Sequence, residues 1–158
     1  METLFYFFIF IGSIAGMEIA SWTIHKYILH GILWKIHKTH HQKNEGIFEL
    51  NDLVSLFFTS MSLWLIFAGV KDFDWRFWMG SGIATYGTLY FILHDVLIHR
   101  RLKIFEQNRI PYLKAITTAH RLHHKYMNKK PSESFGLLWV SKKFFENKSS
   151  EKTLVSEK

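Results

Sequence analysis

The chain has 158 residues, ten of them His, none Cys and two Pro, and it carries a formal net charge of +7. That length accommodates one domain and no separate cofactor-binding module, and the lack of Cys excludes disulfides, thiolate zinc sites and any iron–sulfur cluster held by this chain. Aromatic residues reach 17%, with fifteen Phe and six Trp, which is heavy for a small soluble domain; a mean hydropathy near zero averages very apolar stretches with a basic remainder.

The first apolar run extends from Thr3 to Ile24 with Glu18 as its only ionisable residue. At ~1.5 Å per residue it reaches ~33 Å, enough to cross a bilayer core. A cleaved signal peptide fits less well, because no Lys or Arg precedes the run and no small-x-small cleavage site follows it. The second run, Leu53 to Val70, carries no charge, and the third, Phe77 to Leu93, extends its apolar character to Ile98 around His94 and Asp95. Three such runs leave little polar chain to cover them in water. The expected fold class is therefore all-α: an integral membrane protein with about three transmembrane helices and a histidine-rich di-metal cap.

Charge orients these spans. Of the twenty Lys and Arg, only Lys71 and Arg76 fall in the loop 71–76, where Asp72 and Asp74 cancel them. The rest flank the other ends of the runs, so the positive-inside rule places residues 25–52 and 94–158 in the cytoplasm. Nucleic-acid binding is not expected, since no recognition motif accompanies the basic charge. Orientation and attraction to anionic lipid of the bilayer account for most of it. Residues 1–145 form the expected membrane-embedded domain. The end of the chain is charged and Ser-rich from Lys142 onward, and 146–158 is expected to be a disordered tail. Pro111 is expected to start a helix and Pro131 to end the basic stretch before it.

All ten His lie on the predicted cytoplasmic side in four clusters: His25 and His30; His37, His40 and His41; His94 and His99; His120, His123 and His124. An i, i+5 pair followed by HxxHH thus occurs twice, in the same order, with no histidine left over. On a helix i, i+3 and i+4 share a face, so each HxxHH is expected to present three imidazoles to a common point. The i, i+5 pairs stand ~140° apart on an ideal helix, and a π-bulge or two separate metals would reconcile them. Imidazole suits zinc, copper, iron and nickel alike, so ligand type leaves the metal open. Carboxylates are few. Glu18, Asp95, Asn51 and Asp52 are candidates for hydrogen bonds to ligand imidazoles, with a helix-capping role equally open for Asn51 and Asp52.

The four boxes and their surroundings, MEIASWTIHKYILHG from Met17, WKIHKTHH from Trp34, FELNDLVSL from Phe48, YFILHDVLIHRRL from Tyr90 and AHRLHHKYMNKKPSESFGLL from Ala119, resemble the membrane fatty acid hydroxylase/sterol desaturase superfamily, and within it the bacterial β-carotene 3-hydroxylases. The resemblance spans roughly residues 15–145. It implies a non-haem di-iron monooxygenase of the bacterial inner membrane that hydroxylates carbon 3 of β-ionone rings, turning β-carotene into β-cryptoxanthin and then zeaxanthin. It also implies O2 as co-substrate and electrons from a ferredoxin-type donor and its reductase. The family's iron ligands carry over to His25, His30, His37, His40, His41, His94, His99, His120, His123 and His124, with two iron ions as cofactor.

The residues agree with that implication. An unactivated ring C–H needs an oxidant that no side chain supplies, whereas bound iron with oxygen does. With no Rossmann GxGxxG and no Cys, the electrons must come from outside. An acidic donor would suit the basic residues Arg100, Arg101, Lys103, Lys125, Lys129 and Lys130. Gly80, Gly82 and Gly87 leave room either for a substrate tunnel or for close helix packing, and Gly12 and Gly16 form a GxxxG packing motif. A fatty-acid or sterol hydroxylase, a desaturase, a carotenoid ketolase and a non-catalytic membrane metal protein share the same boxes and remain alternatives at this stage.

Overall fold

The computed structural model describes residues 1–42, 48–102, 110–125 and 134–146, and these are helical with short connections. Helix α1 spans Glu2–Thr23 and continues without a break into a π-helical segment, Ile24–Ile32; α2 spans Trp34–His41. Helix α3 covers Asp52–Gly69, and α4 covers Trp75–Tyr90 before passing into a second π-helical segment, Phe91–Ile98. Helix α5 begins at Pro111, where a fixed φ and a missing N–H cost nothing, and runs to Lys125; a single turn, α6, spans Lys143–Glu146. The expected frayed end therefore starts with a helical turn, whereas 147–158, Pro131, Lys103, Lys129 and Lys130 lie outside the described residues.

Among the described residues two helices are long and apolar enough to cross a membrane: Glu2–Ile32 and Asp52–Gly69. The third run falls in α4, whose Arg76, Ser81, Thr85 and three glycines dilute its apolar character. Helix α4 lies between α1 and α3 and packs against both. Glycine sets both contacts. A Cβ at Gly80 would stand 2.8 Å from the Ser62 carbonyl oxygen of α3, and one at Gly82 would stand 2.6 Å from the Phe10 carbonyl oxygen of α1. The Ser62 hydroxyl donates to the Gly80 carbonyl at 2.9 Å, tying α3 to α4. Outward, α1 and α3 expose Phe5, Phe7, Phe8, Phe57, Trp64 and Phe67, the last 74% exposed. A Cβ at Gly12 or Gly16 meets nothing within 4 Å, so this GxxxG packs against no described part of the chain.

At one end of the bundle the chain turns inward. The cap formed by the two π segments, α2, the residues just before α3, α5 and residues 134–139 holds most of the buried polar side chains: His25, His37, His40, His94, His120, His123 and Asn51 are all at most 9% exposed.

Candidate metal centre

The two π segments resolve the i, i+5 problem. A π-turn closes from residue i to i+5, and the His99 N–H donates to the His94 carbonyl at 2.9 Å in that pattern. His25 and His30 come to the same side with ring centroids 5.1 Å apart, and His94 and His99 with centroids 4.5 Å apart.

The two HxxHH boxes behave differently from the sequence expectation. Their three rings do not converge on one point. His25, His30, His37, His41 and His123 offer ring nitrogens that all lie within 4.8 Å of one another, and so do His40, His94, His99 and His120. The i and i+4 members of the second box, His37 and His41, join the first group, while the i+3 member, His40, crosses to the second. In the fourth box His120 stays with the second group and His123, again the i+3 member, crosses to the first. The reason is angular: relative to residue i, the i+3 and i+4 side chains lie on opposite sides of the helix face, about 100° apart. His124 sits where the groups adjoin, its Nε2 2.9 Å from His120 Nε2 and its ring stacked on His41 at 4.3 Å.

The ring tautomers follow from their partners. His25 Nδ1–H donates to the Phe135 carbonyl at 2.9 Å, and His37 Nδ1–H donates to Asn51 Oδ1 at 2.8 Å. In a neutral imidazole the other nitrogen then carries a lone pair. His25 Nε2 and His37 Nε2 nevertheless stand only 3.0 Å apart. Two lone pairs at that distance repel unless a cation lies between them. Similar Nε2 to Nε2 contacts of 3.0 Å join His30 to His123, His37 to His41 and His99 to His120. Nitrogens about 2.1 Å from one cation stand about 3.0–3.4 Å apart when they are neighbours in its shell, so these spacings fit donors gathered round a metal ion. His40 Nε2 is buried and has no hydrogen-bond partner among the described residues. The donor set fits metal ions.

Burial readies these nitrogens. It pushes His37 down from 6.5 to about 4, with the hydrogen bond to Asn51 pulling the other way. It also pushes His41 down to about 3, helped by the charges His37 and His30 would carry. His40 and His120 fall well below the ordinary imidazole value for the same first cause. Neutral rings with free lone pairs are what metal ligation requires.

Asp95 Oδ1 accepts from His94 Nδ1–H at 2.8 Å, and Asn51 serves His37 as above. Asp52 accepts the Glu49 backbone N–H at 2.9 Å and pairs with Arg101 through two bonds of 3.0 and 3.1 Å. Glu18, expected to reach an imidazole, is instead a clasp for backbone: it accepts from the N–H groups of Leu137, Leu138 and Trp139 at 3.3, 2.9 and 2.9 Å and from the Tyr86 hydroxyl at 2.8 Å. That clasp holds the segment whose Phe135 carbonyl orients His25. Two partners escape the sequence reading. One is Glu49, whose Oε2 accepts from His40 Nδ1–H at 2.9 Å; its place beside Asn51 and Asp52, just ahead of α3, is the signal that points to it. The other, the Phe135 carbonyl, is backbone and leaves no signal. Arg101, expected on a donor-docking face, turns inward: Arg100 has φ 55°, and Arg101 Nη2 reaches Glu49 Oε2 at 3.0 Å.

A cavity of about 480 Å³ opens between α1, α3 and α4. Phe58, Leu63, Ile83, Gly87 and Tyr90 are among its lining residues, and His25, His37, Asn51 and Asp95 line it on the side of the cap.

The fatty acid hydroxylase family profile matches residues 10–146. The chain is 40% identical over 128 residues to a protein named beta-carotene hydroxylase from Pantoea ananas, covering 81% of this chain and 73% of that one. It is 41% identical over 135 residues to another of that name from Pseudescherichia vulneris, covering 85% and 76%. It is 33% identical over 118 residues to beta-carotene 3-hydroxylase 2, chloroplastic, from Arabidopsis thaliana, covering 72% of this chain and 39% of the plant protein. No solved structure matches the chain.

Proposed function

This chain belongs to the fatty acid hydroxylase family, and from that premise we propose that it is a membrane-embedded oxygenase that hydroxylates carbon 3 of the β-ionone rings of β-carotene, giving β-cryptoxanthin and then zeaxanthin. The observation that carries the reading is the cavity: an apolar passage between helices ends on His25 and His37 of the five-histidine group. A carotenoid dissolved in the bilayer enters such a passage ring first, and only its end needs to meet the histidines. The names borne by the bacterial and plant relatives identify that substrate.

In this reading two iron ions are held by the ten histidines, five in one group, four in the other and His124 between them. Iron there, with O2 and external electrons, supplies the oxidant that an unactivated ring C–H demands. The chain supplies everything else. Asn51 and the Phe135 carbonyl fix His37 and His25 with Nε2 inward; Phe58, Leu63 and Ile83 exclude water from the path; Phe135 and Trp34 cover the rings of His30 and its neighbours. Three spans, α1, α3 and α4, place this cap on the cytoplasmic side of the inner membrane, where nearly all of the twenty Lys and Arg gather. A ferredoxin-type donor with its reductase docks there.

Pigment analysis of β-carotene-producing cells expressing this chain tests the reading, beside a His123→Ala/His124→Ala control. Zeaxanthin from the intact chain alone supports it. Unchanged β-carotene, with iron-loaded protein present in the membrane, overturns the carotenoid assignment.

A further inference from the structure

The two histidine groups are held by acceptors of different charge. In the five-histidine group the Nδ1–H groups of His25 and His37 donate to neutral oxygens, the Phe135 carbonyl and the Asn51 amide. In the four-histidine group those of His40 and His94 donate to carboxylates, Glu49 Oε2 at 2.9 Å and Asp95 Oδ1 at 2.8 Å. Arg101 gathers the acids. Its Nη2 lies 3.0 Å from Glu49 Oε2 and 3.0 Å from Asp52 Oδ1, its Nε lies 3.9 Å from Asp95 Oδ1, and its N–H donates to the Asp95 carbonyl at 2.9 Å. Among the described residues, three carboxylates thus meet on one guanidinium behind the four-histidine group.

An imidazole that donates to a carboxylate is a stronger electron donor to its metal than one that donates to a neutral oxygen, and hydrogen bonding of this kind tunes the charge state that the metal prefers. The cavity adds a direction to the difference, because the histidines that line it, His25 and His37, belong to the neutrally supported group. We propose that the two metal positions are electronically inequivalent by construction: the four-histidine position, backed by Glu49 and Asp95, favours the more oxidised ion, and the five-histidine position at the cavity end keeps the more easily reduced one. Arg101 is the positioning residue that holds the charged acceptors in place. The inference rests on the reading that these histidines hold two irons, and it does not depend on which apolar substrate enters the cavity.

Mössbauer spectroscopy of the full chain loaded with iron-57, together with iron per chain, tests it without recourse to turnover. Partial oxidation is expected to give two doublets of equal area, one ferric and one ferrous. Asp95→Asn keeps an oxygen to accept from His94 and removes only the charge; it and Glu49→Gln are expected to shift one doublet and make that iron harder to oxidise. Asn51→Asp is expected to shift the other. Arg101→Gln should disturb the same doublet as Asp95→Asn, and Arg101→Lys, which keeps the charge but not the fork of donors, should restore part of it. A single doublet in the unaltered chain overturns the inference, as does movement of the same doublet by Asp95→Asn and Asn51→Asp. Loss of iron from both sites in Asp95→Asn and Glu49→Gln, with Asn51→Asp leaving the spectrum unchanged, also overturns it. Fewer than two irons in the unaltered chain defeats the di-iron reading itself; two distinct irons without conversion of β-carotene defeats only the substrate assignment.

Discussion

Replacing Glu18 tests how the C-terminal segment governs the metal centre. The side chain sits two helical turns before His25 and accepts four hydrogen bonds, three from backbone N–H groups of 137–139 and one from Tyr86. Bonds to a charged group contribute about 1.5–3 kcal/mol each. Trp139 is 83% exposed, so water replaces its bond, and the segment's own donors at risk are the N–H groups of Leu137 and Leu138; the Tyr86 hydroxyl belongs to α4 and does not dock the segment. Glu18→Ala should therefore weaken docking of this segment by about 3–6 kcal/mol. Glu18→Gln, which keeps an acceptor at one oxygen, should lose about half of that. Undocking frees the Phe135 carbonyl from His25, and loss of a partner that orients a metal-bound histidine costs about 10–100-fold in metal affinity. The assay is iron per chain at limiting free iron, with thermal unfolding in detergent. Gly136→Ala should reproduce the defect with Glu18 itself unchanged, because its Cβ would stand 2.5 Å from Glu18 Oε1 and displace the carboxylate from its donors. Gly12→Ala, whose Cβ meets nothing within 4 Å, is the control. Unchanged unfolding temperature and iron content in both Glu18→Ala and Gly136→Ala would refute the clasp.

Other positions separate packing from access and folding from protonation. Gly80→Ala puts a Cβ 2.8 Å from the Ser62 carbonyl oxygen and 2.9 Å from the Ile66 nitrogen and should cost about 1–3 kcal/mol in thermal stability. Gly87→Leu, with nothing within 4 Å of its Cβ, should fold and load iron yet lose hydroxylation, because the new side chain fills the cavity. In the metal-free protein His37 and His41 titrate at about 4 and about 3 against 6.5 when unfolded. Between those values the unfolded chain binds more protons, so stability is complete above pH 6.5 and should fall as the pH drops toward 4, which a melting series from pH 8 to pH 4.5 reads. Since α2 and α5 each feed both histidine groups, metal loading should be cooperative. Native mass spectrometry during iron titration should show metal-free and two-metal chains, with the one-metal species sparse.

How much of this was legible from residues alone depended on whether the cause was local. The i, i+5 spacing of His25 with His30 and of His94 with His99 conflicts with an ordinary helix, and a π-turn was one of the two resolutions that conflict allowed, the one the structure contains. Pro111 as a helix start is equally local. The crossing of His40 and His123 is not. Spacing states that i+3 and i+4 diverge, but whether they share one metal or serve two depends on where a second helix brings its own rings, a tertiary fact. Glycines make the same point: GxxxG at Gly12 and Gly16 has the packing pattern and no packing partner among the described residues, while Gly69, which no pattern singles out, lies where a Cβ would run into the Phe77 backbone nitrogen of α4.

Arg101 shows why charge counting misleads at such a site. In sequence it is one more cation in HRRLK, interchangeable with Arg100 or Lys103 as a docking charge. Two features that no composition contains change its role: the positive φ at Arg100, which reverses the chain after the π segment, and the convergence of Glu49, Asp52 and Asp95 from separate parts of the chain. The carboxylates are placed by the need of buried imidazole N–H groups for acceptors, and a cluster of acids in a half-buried cap needs a cation in turn. Arg101 is the group within reach that meets that need with several donors at once. Its charge is spent inside the cap, so a basic face for an electron donor rests on the cations that remain outside it.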